Sequence, residues 1–508
     1  MNSPPAFGVR AASATPAGFD ACAGYRCAAA VRSAQPNDNR HSGESPVIRN
    51  AAVPPASIFR AYDIRGIVGQ TLTPEGVYAI GQAIGSVAHA RGQTRVMVGR
   101  DGRLSGPELA AALGAGLAAA GLEVVDVGMV PTPVLYFATH HLGTGTGVML
   151  TGSHNPPDYN GLKIMVAGDT LSEDGIQELR RRIETGALRS AAGSRRSADV
   201  LPAYLQRIVG DVTLARPLRV VVDCGNGVAG VAAPQLLRAL GCEVTELFCE
   251  VDGHFPNHHP DPSVPENLKD LAAALAGDGA DLGLAFDGDG DRLGVLSPDG
   301  RVVWPDRLLM LLAADVLARN PGGRIIYDVK CTRYLTPMIE GAGGVAEMWK
   351  TGHSLIKARM RESGALLAGE MSGHIFFKER WYGFDDALYA AARLLEILAA
   401  DPRSPAEVFD ALPDSVNTPE LRVEMEEGAH FAFMERLARE GHFVGATLHT
   451  IDGVRADFTD GWGLVRASNT TPCLVLRFEA DDVPALRRIQ ETFRRQMLAV
   501  EPGLTLPF

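Results

Sequence analysis

The chain has no apolar run long enough to cross a bilayer. Its longest, Leu109 to Leu122, is 14 residues and rich in Gly and Ala, where a spanning helix needs about 20. No two of its seven cysteines are spaced C-x-x-C, and seven is an odd number. The cysteines therefore read as reduced, mostly buried thiols rather than a disulfide or zinc framework. Positive charge is also short, with 48 Lys and Arg against 60 Asp and Glu for a net of −12. That balance argues against a phosphate-backbone binder, which needs a basic face, yet it is compatible with a local basic pocket for a small anion. What is present is ordinary for a soluble globular protein: 46% hydrophobic and 21% charged residues. A length of 508 residues gives three to four domains. Its 56 glycines and 32 prolines suit a loop-rich α/β protein better than a helical bundle.

The first 55 residues differ from the rest. Ala, Ser and Pro fill 25 of them, lysine is absent, and Arg10, Arg26, Arg32, Arg40 and Arg49 outnumber Asp20, Asp38 and Glu44. No compact apolar core follows a positive start, so a secretory signal is not read. The segment reads as a disordered tail. A transit peptide also fits the Arg-rich, acid-poor composition, and an early-assigned start is a third reading, since no methionine lies between Met1 and Met97.

Three copies of one unit follow. Arg95 opens Arg-Val-Met-Val-Gly-Arg-Asp, then a helical stretch Glu108–Ala120, Gly121 and a strand Leu122–Val127. Arg219 opens Arg-Val-Val-Val-Asp-Cys, a Gly-rich loop, a helix through Leu240, Gly241 and the strand Cys242–Phe248. Arg324 opens Arg-Ile-Ile-Tyr-Asp-Val-Lys, a helix near Leu335–Glu340, Gly343 and a strand ending at Trp349. Strand–helix–strand at this length is a βαβ unit with a buried first strand. The last hundred residues lack the unit. They show alternation at Leu474–Phe478 and helices near Gly428–Glu440 and Val483–Ala499. The expected fold class is α/β, with three related mixed-sheet domains and a C-terminal α+β domain. The expected boundaries are 1–55 for the tail, then 56–198, 199–301, 302–413 and 414–508, with linkers near Ser190–Ser197 and Pro413–Pro419.

Open α/β sheets meet ligands at the carboxyl ends of strands, and the unusual residues collect there. After the strand Leu282–Phe286 comes Asp287-Gly288-Asp289-Gly290-Asp291-Arg292. Three carboxylates at alternate positions can turn toward one point, where they repel unless a cation joins them. An EF-hand needs Gly sixth and Glu twelfth, positions held here by Arg292 and Pro298, so Mg²⁺ that keeps phosphate and water ligands fits better. After Gly147–Leu150 comes Thr151-Gly152-Ser153-His154-Asn155-Pro156-Pro157. A serine on a tight loop is a candidate nucleophile. With no G-x-S-x-G elbow, a hydrolase triad is not indicated, and alone the segment reads as an Asn-Pro turn. Beside a metal-binding loop, a phosphorylated serine would supply the anionic oxygen that Mg²⁺ prefers.

Three further segments each carry two readings. Glu370-Met371-Ser372-Gly373-His374 offers a carboxylate, a hydroxyl and an imidazole that can grip a vicinal diol, or is a polar turn. Arg466-Ala467-Ser468-Asn469-Thr470-Thr471-Pro472 is a phosphate cradle or a Ser/Thr-rich hairpin turn. Gly225-Asn226-Gly227-Val228-Ala229-Gly230 matches the dinucleotide pattern G-x-G-x-x-G. It reads instead as a turn packing a helix onto a strand, because the sibling units lack it. A nicotinamide-dependent oxidoreductase built on it is the remote alternative.

Together the four chemical loops resemble the α-D-phosphohexomutase superfamily, from about Ile58 to Phe478. Gly369 to His374 and Pro256-Asn257-His258-His259-Pro260-Asp261-Pro262 resemble its phosphomannomutase/phosphoglucomutase branch. Phosphoglucosamine mutases, the alternative, usually carry Gln where Met371 stands and Ala where Gly290 stands. The resemblance implies four domains around a central cleft, each giving one loop. It implies that Ser153 carries the phosphoryl group and that Asp287, Asp289 and Asp291, with the Ser153 phosphate, hold one Mg²⁺. Glu370, Ser372 and His374 would bind sugar hydroxyls, and Arg466, Ser468, Asn469 and Thr470 the phosphate that is not reacting. Tyr62, Arg65, Lys163, Arg292, Lys330 and Thr351-Gly352-His353 would line the cleft. Lys163 and His374 are the candidate general base and acid, with the lysine pKa expected to fall through burial and nearby arginines. A hexose 1,6-bisphosphate would be the intermediate, and the cleft would close and reopen about a hinge near Pro413–Pro419. The expected protein is a cytoplasmic monomer acting on small phosphosugars, with no nucleic-acid or membrane partner.

Overall fold

The computed structural model describes residues 53–469 and 471–508. Most of the tail, with Cys22 and Cys27, therefore lies outside the described residues, as does Thr470. The first sheet places its strands in the order Ile64–Ile67, Tyr159–Val166, Gly147–Leu150, Arg95–Arg100, Glu123–Met129 and Ser194–Ser197. The second runs Val302–Val303, Leu293–Leu296, Leu282–Phe286, Arg219–Asp223 and Glu243–Leu247. The third runs Val345–Trp349, Arg324–Asp328, Leu367–Gly369 and Ile375–Phe377.

One arrangement recurs in all three. The first strand of each βαβ unit lies in the middle, parallel to its partner strand on one side and to a later strand on the other. That later strand then turns back into an antiparallel neighbour. The central strands are apolar throughout because helices cover both of their faces; Val96, Met97, Val98, Val220, Val221, Val222, Ile325 and Ile326 are all buried. The turn from the last parallel strand into its antiparallel return is the serine loop in the first sheet, the triple-aspartate loop in the second and the Glu370–His374 hairpin in the third. Three chemical loops thus occupy one topological position.

The stretch Ser190–Ser197, expected as a linker, contains a strand. Ser194–Ser197 pairs in parallel with Glu123–Asp126 along the sheet edge. It is fully exposed, so nothing in its polar sequence distinguishes it from a loop. The chain crosses to the second domain just after it.

The C-terminal domain is an antiparallel sheet built on Val454–Phe458, Gly461–Ala467 and Cys473–Ala480. The helices Ala429–Glu440 and Val483–Val500 cover it. The latter is capped by Asp482, whose carboxylate accepts the Ala485 N–H at 2.8 Å, and it buries Ala485, Ile489, Phe493, Met497 and Val500 at helical spacing. This domain has its own apolar core. The first domain has one too, but a further cluster runs through all of the first three, because the helix Thr132–His141 of the first domain pushes Val134 to Ala138 into the core of the second and third. The junction of the third and fourth domains is small and polar by comparison. Val329, Trp462 and Leu464 form its apolar part. Arg455 stacks on Trp462 at 3.9 Å and donates to the carbonyls of Val329 and Cys331, both at 2.7 Å. The buried pair Arg477–Asp306 crosses it at 3.1 Å.

Candidate active site

Ser153 is buried, and its backbone has φ 47°, a conformation a serine seldom adopts. Arg103 holds it there. The Arg103 guanidinium donates to the carbonyls of Ser153 at 2.9 Å, Asn155 at 2.6 Å and Tyr159 at 2.9 Å. Asp101 pairs with Arg103 at 3.2 Å and accepts from the Thr151 hydroxyl at 2.9 Å and the Gly152 N–H at 3.0 Å. Arg65 reaches the same loop, donating to Asn155 Oδ1 at 2.8 Å and to the Gly152 carbonyl. The result is that Ser153 Oγ donates to Asp287 Oδ2 at 2.9 Å.

Asp287, Asp289 and Asp291 are all completely buried, and each offers a carboxylate oxygen within 4.8 Å of the others. The other oxygen of Asp287 caps its own loop, accepting the N–H groups of Gly290, Asp291 and Arg292 at 3.0 to 3.1 Å. Asp289 Oδ1 has no hydrogen-bond partner among the described residues. Oxygen-only ligands with an unpartnered buried carboxylate oxygen fit a hard cation such as Mg²⁺. The loop also packs tightly against the serine loop: a Cβ at Gly288 would stand 2.3 Å from the Ser153 carbonyl. Burial, reinforced by Asp289 and Asp291, pushes the Asp287 carboxyl well above the usual carboxylate range.

Lys163 donates to Asp289 at 2.8 Å and also pairs with Asp291. Its expected low pKa is not what the structure gives. Burial works to lower it, but Asp289 and Asp291 outweigh that and hold the ammonium above its ordinary value. The charges that face it are carboxylates, not guanidiniums.

His374 is the meeting point of the second and third domains. Its Nε2 lies 3.2 Å from Asp291 Oδ1 and 3.3 Å from Arg292 Nε. Its Nδ1 lies 2.9 Å from Glu370 Oε2 and 3.0 Å from Ser372 Oγ. Burial opposes its charge, yet Asp291 and Glu370 prevail and raise its pKa to about 9. Glu370 Oε1 accepts the Gly352 N–H at 2.5 Å. His353 sits 5.7 Å from the His374 ring and 5.8 Å from the Tyr62 ring; burial, with Lys357 and Lys163, holds it well below the ordinary histidine value and so neutral. Burial raises the Tyr62 phenol, with Arg466 and Asn469 of the C-terminal domain pulling the other way. Arg466 is buried and pairs with Asp452 at 3.0 Å. Ser468 Oγ lies 3.0 Å from Thr471 Oγ1. Lys330 is held by Glu420 at 2.5 Å, with Asp328 at 3.8 Å.

A continuous set of contacts thus joins Ser153, Lys163, Asp287, Asp289, Asp291, Arg292, His374, Glu370 and Gly352. The glycine stretch Gly225–Gly230 is a packing device. It leads into a 3₁₀ turn, Val228–Val231, where the Val228 N–H donates to the Gly288 carbonyl at 3.1 Å. A Cβ at Gly230 would meet the Cys249 carbonyl at 1.9 Å. These close approaches account for its glycines without a dinucleotide.

The sequence reading missed Asp101, Arg103, Asp328, Asp385, Lys357 and Asp452. A signal existed for some of them: each repeat closes its first strand with an aspartate, Asp101, Asp223 or Asp328. Each of these buttresses neighbouring chain. Asp223 pairs with His258 at 3.0 Å, and Asp328 accepts from Thr351 Oγ1 at 3.1 Å and the Met371 N–H at 3.3 Å. Asp385, paired with Lys357 at 2.7 Å behind His353, carries no such pattern.

Arg103→Lys, which keeps the charge but loses the planar fork, is expected to lower stability by about 2–4 kcal/mol. Catalytic turnover should fall with it although Arg103 touches no cleft ligand; urea unfolding and a turnover assay read the two effects. The His374 pKa, raised to about 9 from an ordinary value near 6.5, sets a pH trend. Its stabilisation is complete below the lower value and is lost as pH rises through the higher one. With chelator present, the urea midpoint should fall over that interval for the native chain and stay flatter for His374→Ala.

Comparison with known proteins agrees with this geometry. The chain matches all four parts of the phosphoglucomutase/phosphomannomutase family: alpha/beta/alpha domain I over residues 56–190, domain II over 202–300, domain III over 304–416 and the C-terminal domain over 420–496. It is 62% identical over 454 residues to the phosphomannomutase/phosphoglucomutase of Pseudomonas aeruginosa, covering 89% of this chain and 98% of the relative. It is 58% identical, with the same coverage, to a phosphoglucomutase of Neisseria gonorrhoeae. The crystal structure of a phosphoglucomutase/phosphomannomutase family protein from Burkholderia thailandensis superposes with a TM-score of 0.86 at 54% identity, over 90% of this chain and 100% of that one. The chain belongs to the phosphoglucomutase/phosphomannomutase family.

Proposed function

We propose that the chain interconverts hexose 1-phosphate and hexose 6-phosphate, of glucose and of mannose, through a phosphoserine at Ser153 and a hexose 1,6-bisphosphate. The observation that carries this reading is the Ser153 hydroxyl set 2.9 Å from Asp287, at the edge of a buried three-carboxylate cluster. A nucleophile beside a hard-cation site is what phosphoryl transfer needs, because that reaction is chiefly positioning and charge neutralisation.

Asp287, Asp289 and Asp291, with the Ser153 phosphate, would hold Mg²⁺, which supplies positive charge to the transferring group when bound. The free hydroxyl of the bound sugar phosphate attacks the phosphorus on Ser153. The new oxygen–phosphorus bond forms as the bond to Ser153 Oγ breaks, and the hydroxyl proton passes to a side-chain base. Ser153 Oγ, released, takes back the other phosphoryl group once the bisphosphate has turned end to end. His374 and Lys163 are the proton-transfer candidates. His374, kept protonated by Asp291 and Glu370, suits the acid that protonates Ser153 Oγ as it leaves, and Lys163 would accept the hydroxyl proton once a bound cation relieved the hold of Asp289 and Asp291 on its ammonium. Arg292 stabilises charge on the transferring group. Arg466, Ser468, Asn469 and Thr470 grip the idle phosphate. Tyr62, Arg65, Lys330, Thr351 and His353 complete the walls.

The Glu370–His374 hairpin explains breadth of substrate if it grips O3 and O4. Glucose and mannose differ only at C2, and reorientation exchanges O3 and O4 roughly in place, so one diol anchor serves both sugars and both poses. The proposed enzyme is a cytoplasmic monomer acting on small phosphosugars without a nucleic-acid partner. Among the described residues, no helix is long and apolar enough to cross a membrane.

A coupled assay over glucose, mannose and glucosamine 1-phosphates tests this reading. The first two should turn over well and the third poorly. Turnover of glucosamine phosphate above both would make the chain a phosphoglucosamine mutase, and turnover of glucose phosphate with none of mannose phosphate would end the dual-specificity reading. Ser153→Ala should lose most of the activity; wild-type rates would refute the nucleophile assignment.

A further inference from the structure

We infer that Asp452 is a positioning residue that makes the sugar-gripping machinery of the third domain depend on docking of the fourth. The inference rests on the proposed mutase reading for what the two ends of the coupling bind. Its own content is a chain of contacts that no sequence motif announces.

Asp452 lies at the turn between the strands Thr447–His449 and Val454–Phe458 of the C-terminal domain. Its Oδ2 accepts two N–H groups at once. One is Arg466 Nε at 3.0 Å, within the same domain; the other is the backbone N–H of Thr351 at 2.9 Å, in the third domain. The next amide along, Gly352 N–H, donates to Glu370 Oε1, and Glu370 Oε2 contacts His374 Nδ1 at 2.9 Å. Two consecutive peptide N–H groups are therefore fixed by two carboxylates. One belongs to the domain that would grip the idle phosphate, the other to the hairpin that would grip the sugar.

The turn is built for this. Ile451 packs against the Val329, Trp462 and Leu464 cluster, so the turn is seated in the junction between the two domains. Gly453 has φ 84°, and a Cβ there would stand 2.4 Å from the Val465 carbonyl and 2.6 Å from Arg466 Cβ. Only glycine lets the chain pass so close to Arg466 that Asp452 meets its guanidinium. Arg466 Nη2 is buried with no hydrogen-bond partner among the described residues, so the pairing through Nε leaves part of the fork for a phosphate.

When the fourth domain swings away, the Thr351 amide loses its acceptor and the neighbouring Gly352–Glu370 bond loses its fixed geometry. The hairpin then reaches full alignment only on the closed enzyme. A sugar phosphate that engages Arg466 thus completes its own hydroxyl grip. Asp452 touches no reacting atom in this account; it acts through Arg466 on one side and Thr351 on the other.

The test is a double-mutant cycle on the full chain, with Asp452→Ala, Glu370→Gln and the double variant assayed on glucose 1-phosphate beside wild type. Asp452→Ala should lower kcat/KM by about ten- to a hundred-fold, the range for a lost charge-assisted pair. That loss should shrink to a few-fold in the Glu370→Gln background, because the two carboxylates act on one strand of chain. Asp452→Asn retains an acceptor oxygen and should recover part of the activity, with a thermal midpoint matching wild type. Losses that simply multiply would overturn the coupling and leave Asp452 as a support for Arg466 alone. A loss below about three-fold for Asp452→Ala would overturn any positioning role. If wild type itself turns over no hexose phosphate, the mutase reading fails, an outcome read separately from the cycle.

Discussion

Three carboxylates with no exposure to water share a space less than 5 Å across at Asp287, Asp289 and Asp291, and that constraint organises the rest of the site. Two like charges about 4 Å apart repel by about 4 kcal/mol at an effective dielectric of about 20, and three make three such pairs. Burial of the cluster is relieved at Asp287, whose carboxyl is held well above the usual range, and by positive charge brought to the other two. Lys163 comes from the first domain, Arg292 from the second and His374 from the third. Each of the three domains supplies one of these cations, so the compensation is a property of their docking. The same requirement explains the ionisation of the cationic side chains. Lys163 and His374 are held above their ordinary values by carboxylates that outweigh burial, whereas His353 is held below by burial, reinforced by cationic neighbours.

The repeated topology delivers those charges to one place. Each α/β domain ends its last parallel strand where the chain must reverse into an antiparallel return, and the three reversals meet, Ser153 reaching Asp287 and His374 reaching Asp291. This much was legible in the sequence. The buried strands Gly147–Leu150 and Leu282–Phe286 stand at the residues their apolar runs indicate, because a strand covered on both faces leaves an unbroken hydrophobic signature. The loops after them carry residues that a turn alone would not need, which is why their chemistry could be named. The C-terminal helices were legible for the related reason that one face of each packs on a sheet.

What was not legible depends on partners distant in sequence. Ser194–Ser197 is a strand only because the edge of the first sheet offers it a ladder; its own side chains are all exposed and carry no pattern. Arg103 looks like any surface arginine until four carbonyls, those of Ser153, Asn155, Pro156 and Tyr159, close around it. Lys163 illustrates the opposite failure. Its place in the cleft follows from resemblance, but its expected protonation did not hold, because the sign of its neighbours is decided by docking with the second domain. The glycines of Gly225–Gly230 matched a dinucleotide pattern for a reason unrelated to nucleotides: the metal loop and the Cys249 backbone press against them. A motif of glycines records close approach, and only the structure tells what approaches.

The division of the core bears on how a mutase could work. Beside the first domain's own core, one apolar cluster runs through the first three domains by way of the helix Thr132–His141, so Ser153, the carboxylate triad and the Glu370 hairpin are held in a fixed relation. Opening that frame would expose much apolar surface and separate the charges that compensate the triad. The fourth domain has a separate core and meets the frame through a small apolar patch, a buried Arg477–Asp306 pair and backbone acceptors for Arg455. Polar junctions of this kind permit relative motion more readily than a shared core does. On the proposed reading, the two phosphates of the bisphosphate exchange places, so the phosphate grip must release and re-form while Ser153 and the carboxylates keep their register. A rigid three-domain frame carrying the chemistry and a separately folded domain carrying the phosphate grip satisfy both demands. Neither would be met if all four domains shared one core, because the intermediate could not turn, or if none did, because the serine and the carboxylates would lose their register.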